Sequence, residues 1–386
     1  MLRLQGTASD TFCPLVGEVT FAGRPFHARS RAVLVCDKLT RSALGYKGCI
    51  TSGLRGAWFH PHHIHGVENT GLLHEGDIVS MDGAGNIEVL WEEGSSQNCL
   101  FLTENCNCRC VMCPQPPAQS DPARFLRQAE EVLHLIRGRK ISDCCITGGE
   151  PSLVGDAFFD ILRRCAVEHP EALVSVLTNG RAFADREFAR KLNGIPLRNV
   201  LFCVSLHSEV DTLHDGITGV RGSCSQTQQG IYRLASLGFA VEIRTVISRY
   251  NYRYLKDFAE HIGNYFPFCA HCAFMGLELH GWAEKNKNKV DVSPVEYGSY
   301  LRDAVLTLVR RGIPVSLYNI PLCMCENAVR KYARKSISSW KNRYLPQCDD
   351  CVMKSRCCGF FSTSSYLPEL CIKPFTEKEE YEKFRV

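Results

Sequence analysis

Four cysteines fall within the eight residues CNCRCVMC, at Cys106, Cys108, Cys110 and Cys113. A thiolate is a soft ligand, so cysteines this close together point first to zinc or to an iron–sulfur centre. Cys106, Cys110 and Cys113 have the spacing C-x3-C-x2-C. One tight loop of that kind sets three thiolates around a corner of an iron–sulfur cube and leaves the fourth iron without a protein ligand. An open position of this sort separates catalytic from structural metal sites. Cys108 is then left over inside the loop. The competing arrangement is a two-knuckle zinc ribbon in which Cys110 and Cys113 join Cys348 and Cys351.

Near the other end of the chain, Cys323 precedes Cys348, Cys351 and Cys357 in the pattern C-x24-C-x2-C-x5-C. Four thiolates make a closed site, suited to a second 4Fe-4S cluster or to zinc. Cys325 and Cys358 are neighbours able to stand in for Cys323 or Cys357. Of the 22 cysteines, Cys13, Cys36, Cys49, Cys165, Cys203, Cys224 and Cys371 stand alone and read as buried small hydrophobes. The pair in CAHC, Cys269 and Cys272, reads as packing, and HPHHIHG (His60, His62, His63, His65) as an exposed loop or partner contact.

These cysteines need a scaffold. From Asn98 onward, short apolar runs alternate with amphipathic stretches: NCLFLT, CCIT, LVSVLT, VLFCVSL, VEIRTVI and CAFMGLE as strands, with helices around 122–137, 158–165, 183–192, 226–237 and 254–262. Asp121 caps the first helix and Pro122 opens it. This is an α/β rhythm of about six units, a partial (β/α)6 barrel. The cysteine loop follows the first strand. Later strands end in Gly148, Gly149 and Glu150, in Thr178 and Asn179, in Ser205 and His207, and in Arg244. Glycines admit close backbone approach, a carboxylate accepts from an amino group, and an arginine pairs with a carboxylate. Together they suit a ligand with an amino acid head and a ribose. Structural alternatives stand beside each: a helix cap for Glu150, an internal ion pair for Arg244, and backbone satisfaction for Asn179 and Ser205.

Residues 1–96 show little helical periodicity and a hairpin, GDIVSMDGAGNIEVLW, and read as a small β module. Residues 97–281 form the barrel. Residues 282–386 add a helix from about Pro294 to Arg311, capped by Ser293, and the cysteine-rich tail. The formal net charge is +4, from 45 basic and 41 acidic residues without a long basic run, and nucleic acid is not expected as a partner. The first residues lack an apolar signal core and no stretch approaches the roughly 18 apolar residues of a membrane helix, so a cytoplasmic location away from membranes is expected.

The cysteine triad, the GGE element at 148–150 and the strand order resemble the radical SAM superfamily over about Asn98 to Gly281. The resemblance implies a 4Fe-4S cluster on Cys106, Cys110 and Cys113 that binds S-adenosylmethionine, and its reductive cleavage to a 5′-deoxyadenosyl radical that abstracts hydrogen from a substrate. It also implies that Gly148, Gly149 and Glu150 contact the methionine amino group, Asn179 and Ser205 the ribose region, and Arg244 the carboxylate. Met112 stands where the family usually has an aromatic residue and is expected near the adenine.

More narrowly, CPQPP, VSLHSEVDTLHDGITG, FMGLELHG and the tail from YNIPLC to SISSWKNRYLPQC resemble the His-Xaa-Ser system radical SAM maturases. That implies an auxiliary cluster on Cys323, Cys348, Cys351 and Cys357, and a peptide or protein substrate carrying His-Xaa-Ser repeats. The implied partners are a second radical SAM protein of the same system and a reductant such as flavodoxin or ferredoxin. Two alternatives remain at this stage: radical modification of RNA or a nucleoside, and a zinc-stabilised binding protein without catalysis.

Overall fold

A computed structural model describes residues 2–53, 60–364 and 372–376. Eight strands come first: β1 (Arg3–Gln5), β2 (Thr7–Ala8), β3 (Leu15–Thr20), β4 (Ala32–Cys36), β5 (Gly48–Thr51), β6 (His63–His65), β7 (Ile78–Met81) and β8 (Asn86–Trp91). Their order is β1-β8-β7-β3-β4-β5-β6-β2. β1 and β2 are two halves of one strand broken at Gly6, so the ends of the sheet meet and leave no open edge. A side chain at residue 6 would meet the Ile64 and Val67 side chains at 2.6 Å, so the bend requires glycine. Val19, Val33, Ile50, Ile64, Val79 and Ile87 fill the interior with apolar atoms. The expected hairpin is the β7–β8 pair.

Seven further strands build the barrel: β9 (Cys99–Phe101), β10 (Asp143–Thr147), β11 (Leu173–Thr178), β12 (Val200–Ser205), β13 (Ala240–Val246), β14 (His271–Met275) and β15 (Val315–Tyr318). They form a parallel sheet in sequential order, β15-β14-β13-β12-β11-β10-β9. The fold is the expected partial α/β barrel, with seven strands rather than six. β15 is the addition: VSLY is only four residues long, and it joins because the helix Pro294–Arg310 returns the chain to the sheet edge as a crossover. The Ser293 side chain caps that helix by accepting from the Val295 N–H.

The described chain divides into two compact units. One holds residues 1–102, 121–147 and 156–174; here the helix Ala123–Leu135 turns its polar side to the β module, through Gln128 to Ser80 and Arg124 to Glu88. The other holds residues 103–120, 148–155 and 175–386, and therefore every sequence-predicted site residue.

Two cysteine and histidine expectations need correction. Cys13 is exposed and Cys36 half-buried, while Cys49, Cys165, Cys203 and Cys224 are buried as expected; Cys371 lies outside the described residues. HPHHIHG is not an exposed loop. It runs into β6, with His60 and His63 buried. His60 bonds the Tyr46 carbonyl, and His63 bonds Ser9 and Thr51, so these rings satisfy polar groups of the β module.

Candidate radical and cluster site

The cysteine loop leaves the C-terminal end of β9 and is fixed from three sides by backbone. Arg109 N–H donates to Thr218 O at 2.8 Å and Val111 N–H to Ile217 O at 2.9 Å, pinning the middle of the loop to the C-terminal carbonyls of the helix Asp211–Thr218. Asn286 donates to Val111 O, and Trp282 N–H donates to Cys113 O at 2.9 Å. Gly148, after β10, lies so near Thr103 that a side chain there would meet its carbonyl at 2.7 Å. Gly149 N–H donates to Thr103 O and Glu150 N–H to Asn105 O. The glycines therefore bring the GGE segment against the entrance of the cysteine loop, a fit only residues without Cβ allow.

Cys106, Cys110 and Cys113 are partly exposed, whereas Cys108 is 2% exposed. Cys108 N–H donates to Cys106 Sγ at 3.4 Å. Among the described residues no three Cys, His, Asp or Glu side chains already converge in metal-ligating geometry. The donor set itself fits the cluster: three thiols on one backbone-clamped loop, beside glycine backbone. Burial pushes the Cys113 thiol up to about 11, and the neighbouring Cys108 side chain, then burial, raise that of Cys106 further; a bound cation reverses this preference for the neutral form.

Glu150 is 1% exposed. Its carboxylate accepts from Ser152 N–H and Oγ, from Thr178 Oγ1 and from Asn179 N–H, tying the ends of two strands together. Burial still raises its pKa against those bonds. Asn179 donates to Asn107 Oδ1 at 2.6 Å and to Cys108 Sγ at 3.5 Å. Arg181 joins the same contact, reaching Asn107 O at 2.6 Å and Cys108 Sγ at 3.6 Å. Arg181 and Trp282 were missed from sequence, because a donor to a backbone carbonyl more than 70 residues away leaves no local pattern.

Ser205 closes β12 in register with Arg244 on β13. Arg244 pairs with Glu242, whose other oxygen meets His271 Nδ1 at 2.6 Å, and His271 Nε2 meets Ser316 Oγ at 2.9 Å. The Arg244 guanidinium also lies 5.7 Å from the Tyr318 ring centre. This network crosses β13, β14 and β15, so any ligand carboxylate at Arg244 would share the guanidinium with Glu242. Although burial opposes ionisation, His271 and Arg244 hold Glu242 below the usual carboxylate range. Met112 is 4% exposed and packs with Ile217, Leu279, Ala283 and Val290, an apolar contact beneath the loop.

The tail brings its four cysteines together. Cys323, Cys348, Cys351 and Cys357 line one apolar cavity with Leu322 and Phe375. The Leu322 and Gly359 N–H groups each donate to Cys357 Sγ at 3.4 Å. The adjoining Cys358 side chain, with these two N–H groups, lowers the Cys357 thiol to about 6. Cys348 and Cys351 thus group with Cys323 and Cys357, not with Cys110 and Cys113 as the ribbon arrangement requires.

Residues 100–262 match the family model of the radical SAM superfamily. A GTP 3′,8-cyclase of Paenarthrobacter nicotinovorans is 33% identical over 118 residues, 29% of this chain and 33% of that protein. A probable GTP 3′,8-cyclase of Pyrobaculum aerophilum is 25% identical over 232 residues, covering 57% of this chain and 69% of its own. Among solved structures, Streptococcus suis SuiB bound to S-adenosylmethionine aligns with a TM-score of 0.48 and 14% identity, over 57% of this chain and 50% of that one. The chain thus spans about a third of the first curated relative and half of SuiB. The match is thus confined to residues 100–262, and the superfamily it points to works with a 4Fe-4S cluster and S-adenosylmethionine. Among the described residues no helix is long and apolar enough to cross a membrane.

Proposed function

We propose that this chain, with a radical SAM domain at residues 100–262, is a maturase that modifies a peptide or protein substrate of the His-Xaa-Ser kind. The observation that carries the radical reading is the loop of Cys106, Cys110 and Cys113, clamped by backbone from three sides and met by Gly148–Glu150. Cys106, Cys110 and Cys113 hold the cluster, and Gly148, Gly149 and Glu150 meet the methionine amino group through their backbone. Bound there, the cluster supplies the electron that cleaves S-adenosylmethionine and so generates a radical able to abstract hydrogen. Asn179 and Ser205 lie toward the ribose, Arg244 toward the carboxylate and Met112 toward the adenine. Glu150 positions the segment rather than offering its carboxylate, since that group is enclosed by Ser152, Thr178 and Asn179.

Cys323, Cys348, Cys351 and Cys357 hold a second 4Fe-4S cluster; their shared apolar cavity and the N–H bonds to Cys357 support this over scattered thiols. In parts, residues 1–96 belong to the β module, 97–281 to the barrel core and 282–386 to a tail subdomain that also supplies the barrel with β15. A reductant such as flavodoxin or ferredoxin and a second radical SAM protein complete the system.

A nucleotide substrate is the second reading, favoured by the names of the two curated relatives. Anaerobic protein with two clusters should contain about eight irons, and Cys348→Ala with Cys351→Ala should lower that to about four. Under reduction it should release 5′-deoxyadenosine and change the mass of a His-Xaa-Ser peptide but not that of GTP. A colourless, zinc-loaded protein would sink the radical reading, and turnover of GTP alone would sink the peptide one.

A further inference from the structure

At the C-terminal ends of β13, β14 and β15 lies a cleft of about 340 Å³, within one compact unit. Ile247 and Arg249 line it after β13, Gly276, Leu277 and Leu279 after β14, and Asn319 and Pro321 after β15. This is the end of the sheet from which the cysteine loop and GGE segment also emerge. The link is physical: Leu277 and Leu279 pack in the apolar cluster that contains Met112, and three residues past Leu279 the Trp282 N–H holds Cys113 O. On its other side the cleft shares Pro321 and Phe360 with the four-cysteine cavity. A ligand in the cleft would therefore sit between the two cysteine sites.

The lining chemistry is selective. Asp291 and Glu296 contribute carboxylates, and Tyr297, Phe360 and Phe361 contribute aromatic surface. Arg249 is the one basic side chain among the described lining residues, and it is already engaged, with its Nε on Asp291 O at 2.9 Å and an Nη 3.8 Å from Glu296. The helix that begins at Pro294 presents its N-terminus here, but Ser293 accepts from Val295 N–H and Glu296 occupies the first turn. Both features that would attract an anion, a cation and a helix N-terminus, are thus answered from within the chain. A phosphate entering the cleft would meet two carboxylates and, among the described lining residues, a single cation, Arg249, that already neighbours both acidic residues.

The opposite charge is welcome. Burial raises the Asp291 carboxyl even though Lys287 and Arg249 stand near it, so a further N–H donor would relieve a group these neighbours leave poorly solvated. A cleft of this size with apolar walls and a few fixed polar groups takes a ligand of a few residues.

We propose that this cleft seats the substrate as a short segment of polypeptide whose cationic or N–H-donating side chain faces Asp291, and that it is closed to phosphorylated ligands. The inference rests on the radical-enzyme reading and selects between its two substrate classes.

The test uses anaerobic, cluster-loaded full chain with S-adenosylmethionine present. Four probes are titrated calorimetrically: acetyl-Gly-His-Ser-Gly-amide, its Lys and Glu counterparts at the second position, and GTP. The His or Lys peptide should bind at least tenfold more tightly than the Glu peptide and GTP, and which of the two leads identifies imidazole or ammonium. Asp291→Asn should weaken that binding by roughly tenfold, the loss of one charge-assisted hydrogen bond, and Asp291→Glu should restore part of it. If Asp291→Asn fails to fold by circular dichroism, Asp291→Ser takes its place in the same comparison. Tighter binding of GTP, equal affinity in wild type and variant, or no peptide binding at millimolar concentration overturns the proposal. 5′-Deoxyadenosine release by the wild type, measured separately, shows whether the radical reading itself stands.

Discussion

The Trp282 backbone N–H donates to the carbonyl of Cys113 at 2.9 Å, so the segment leaving β14 clasps the third cysteine of the CNCRCVMC loop. Gly281 makes this possible. Its φ is +62°, and a side chain there would meet Pro114 O at 2.5 Å and Cys113 O at 2.9 Å. The approach is backbone against backbone, with no flexible side chain to yield.

Gly281→Ala is therefore expected to push the clasp away from Cys113. The cost should be about 1–3 kcal/mol, from the disfavoured backbone region and the close contact. Iron retained after anaerobic gel filtration should fall while the far-ultraviolet circular dichroism stays near that of the wild type. Full iron retention would show that the loop holds Cys113 without this clasp.

In the proposed assignment, Cys108 is the one loop cysteine that is not a ligand. Its sulfur is buried and meets Asn179 and Arg181. Cys108→Ala should keep the brown colour and the iron of the loop cluster, with a stability loss of about 1 kcal/mol from a small cavity. Alanine at Cys106, Cys110 or Cys113 should abolish both the cluster and 5′-deoxyadenosine formation. Loss of colour in Cys108→Ala alone would mean that the register of the triad is shifted.

Two stacked histidines make the fold acid-sensitive. His207, just after β12, and His214, on the helix Asp211–Thr218, are buried with ring centres 5.7 Å apart, and the His207 backbone N–H donates to His214 Nδ1. Burial lowers His207 to about 3 and His214 to about 4, with mutual repulsion adding to the effect at His207. In the unfolded chain both take up protons near pH 6.5, whereas the native rings stay neutral to lower pH. The unfolded state then binds more protons, so stability is intact above about pH 6.5 and falls as the pH drops from there toward 4. The slope reaches about 1.4 kcal/mol per pH unit for each ring. Anaerobic urea midpoints at pH 7, 6 and 5 should fall in the wild type and flatten in the His207→Gln, His214→Gln double variant. Parallel curves would remove these rings as the cause.

The local parts of this protein are written in its sequence. Cysteine spacings within a single loop, as in 106–113 and 348–357, mark candidate ligand sets because a few residues of backbone cannot carry the thiols far apart. Short apolar runs between amphipathic stretches marked six of the seven barrel strands for the same local reason. β15 was missed because four residues of VSLY carry too little pattern. HPHHIHG misled because the polarity of a histidine gives no sign of buried partners such as Ser9, Thr51 and the Tyr46 carbonyl. What only the tertiary structure decided is how distant segments meet. Cys323, and not its neighbour Cys325, lines one cavity with Cys348, Cys351 and Cys357. Glu150 is enclosed by Ser152, Thr178 and Asn179, Arg244 is drawn to Glu242, and Trp282 and Arg181 grip the carbonyls of the cysteine loop. Such contacts depend on where the strands and loops come together, and a backbone carbonyl that receives them is the same group in every residue.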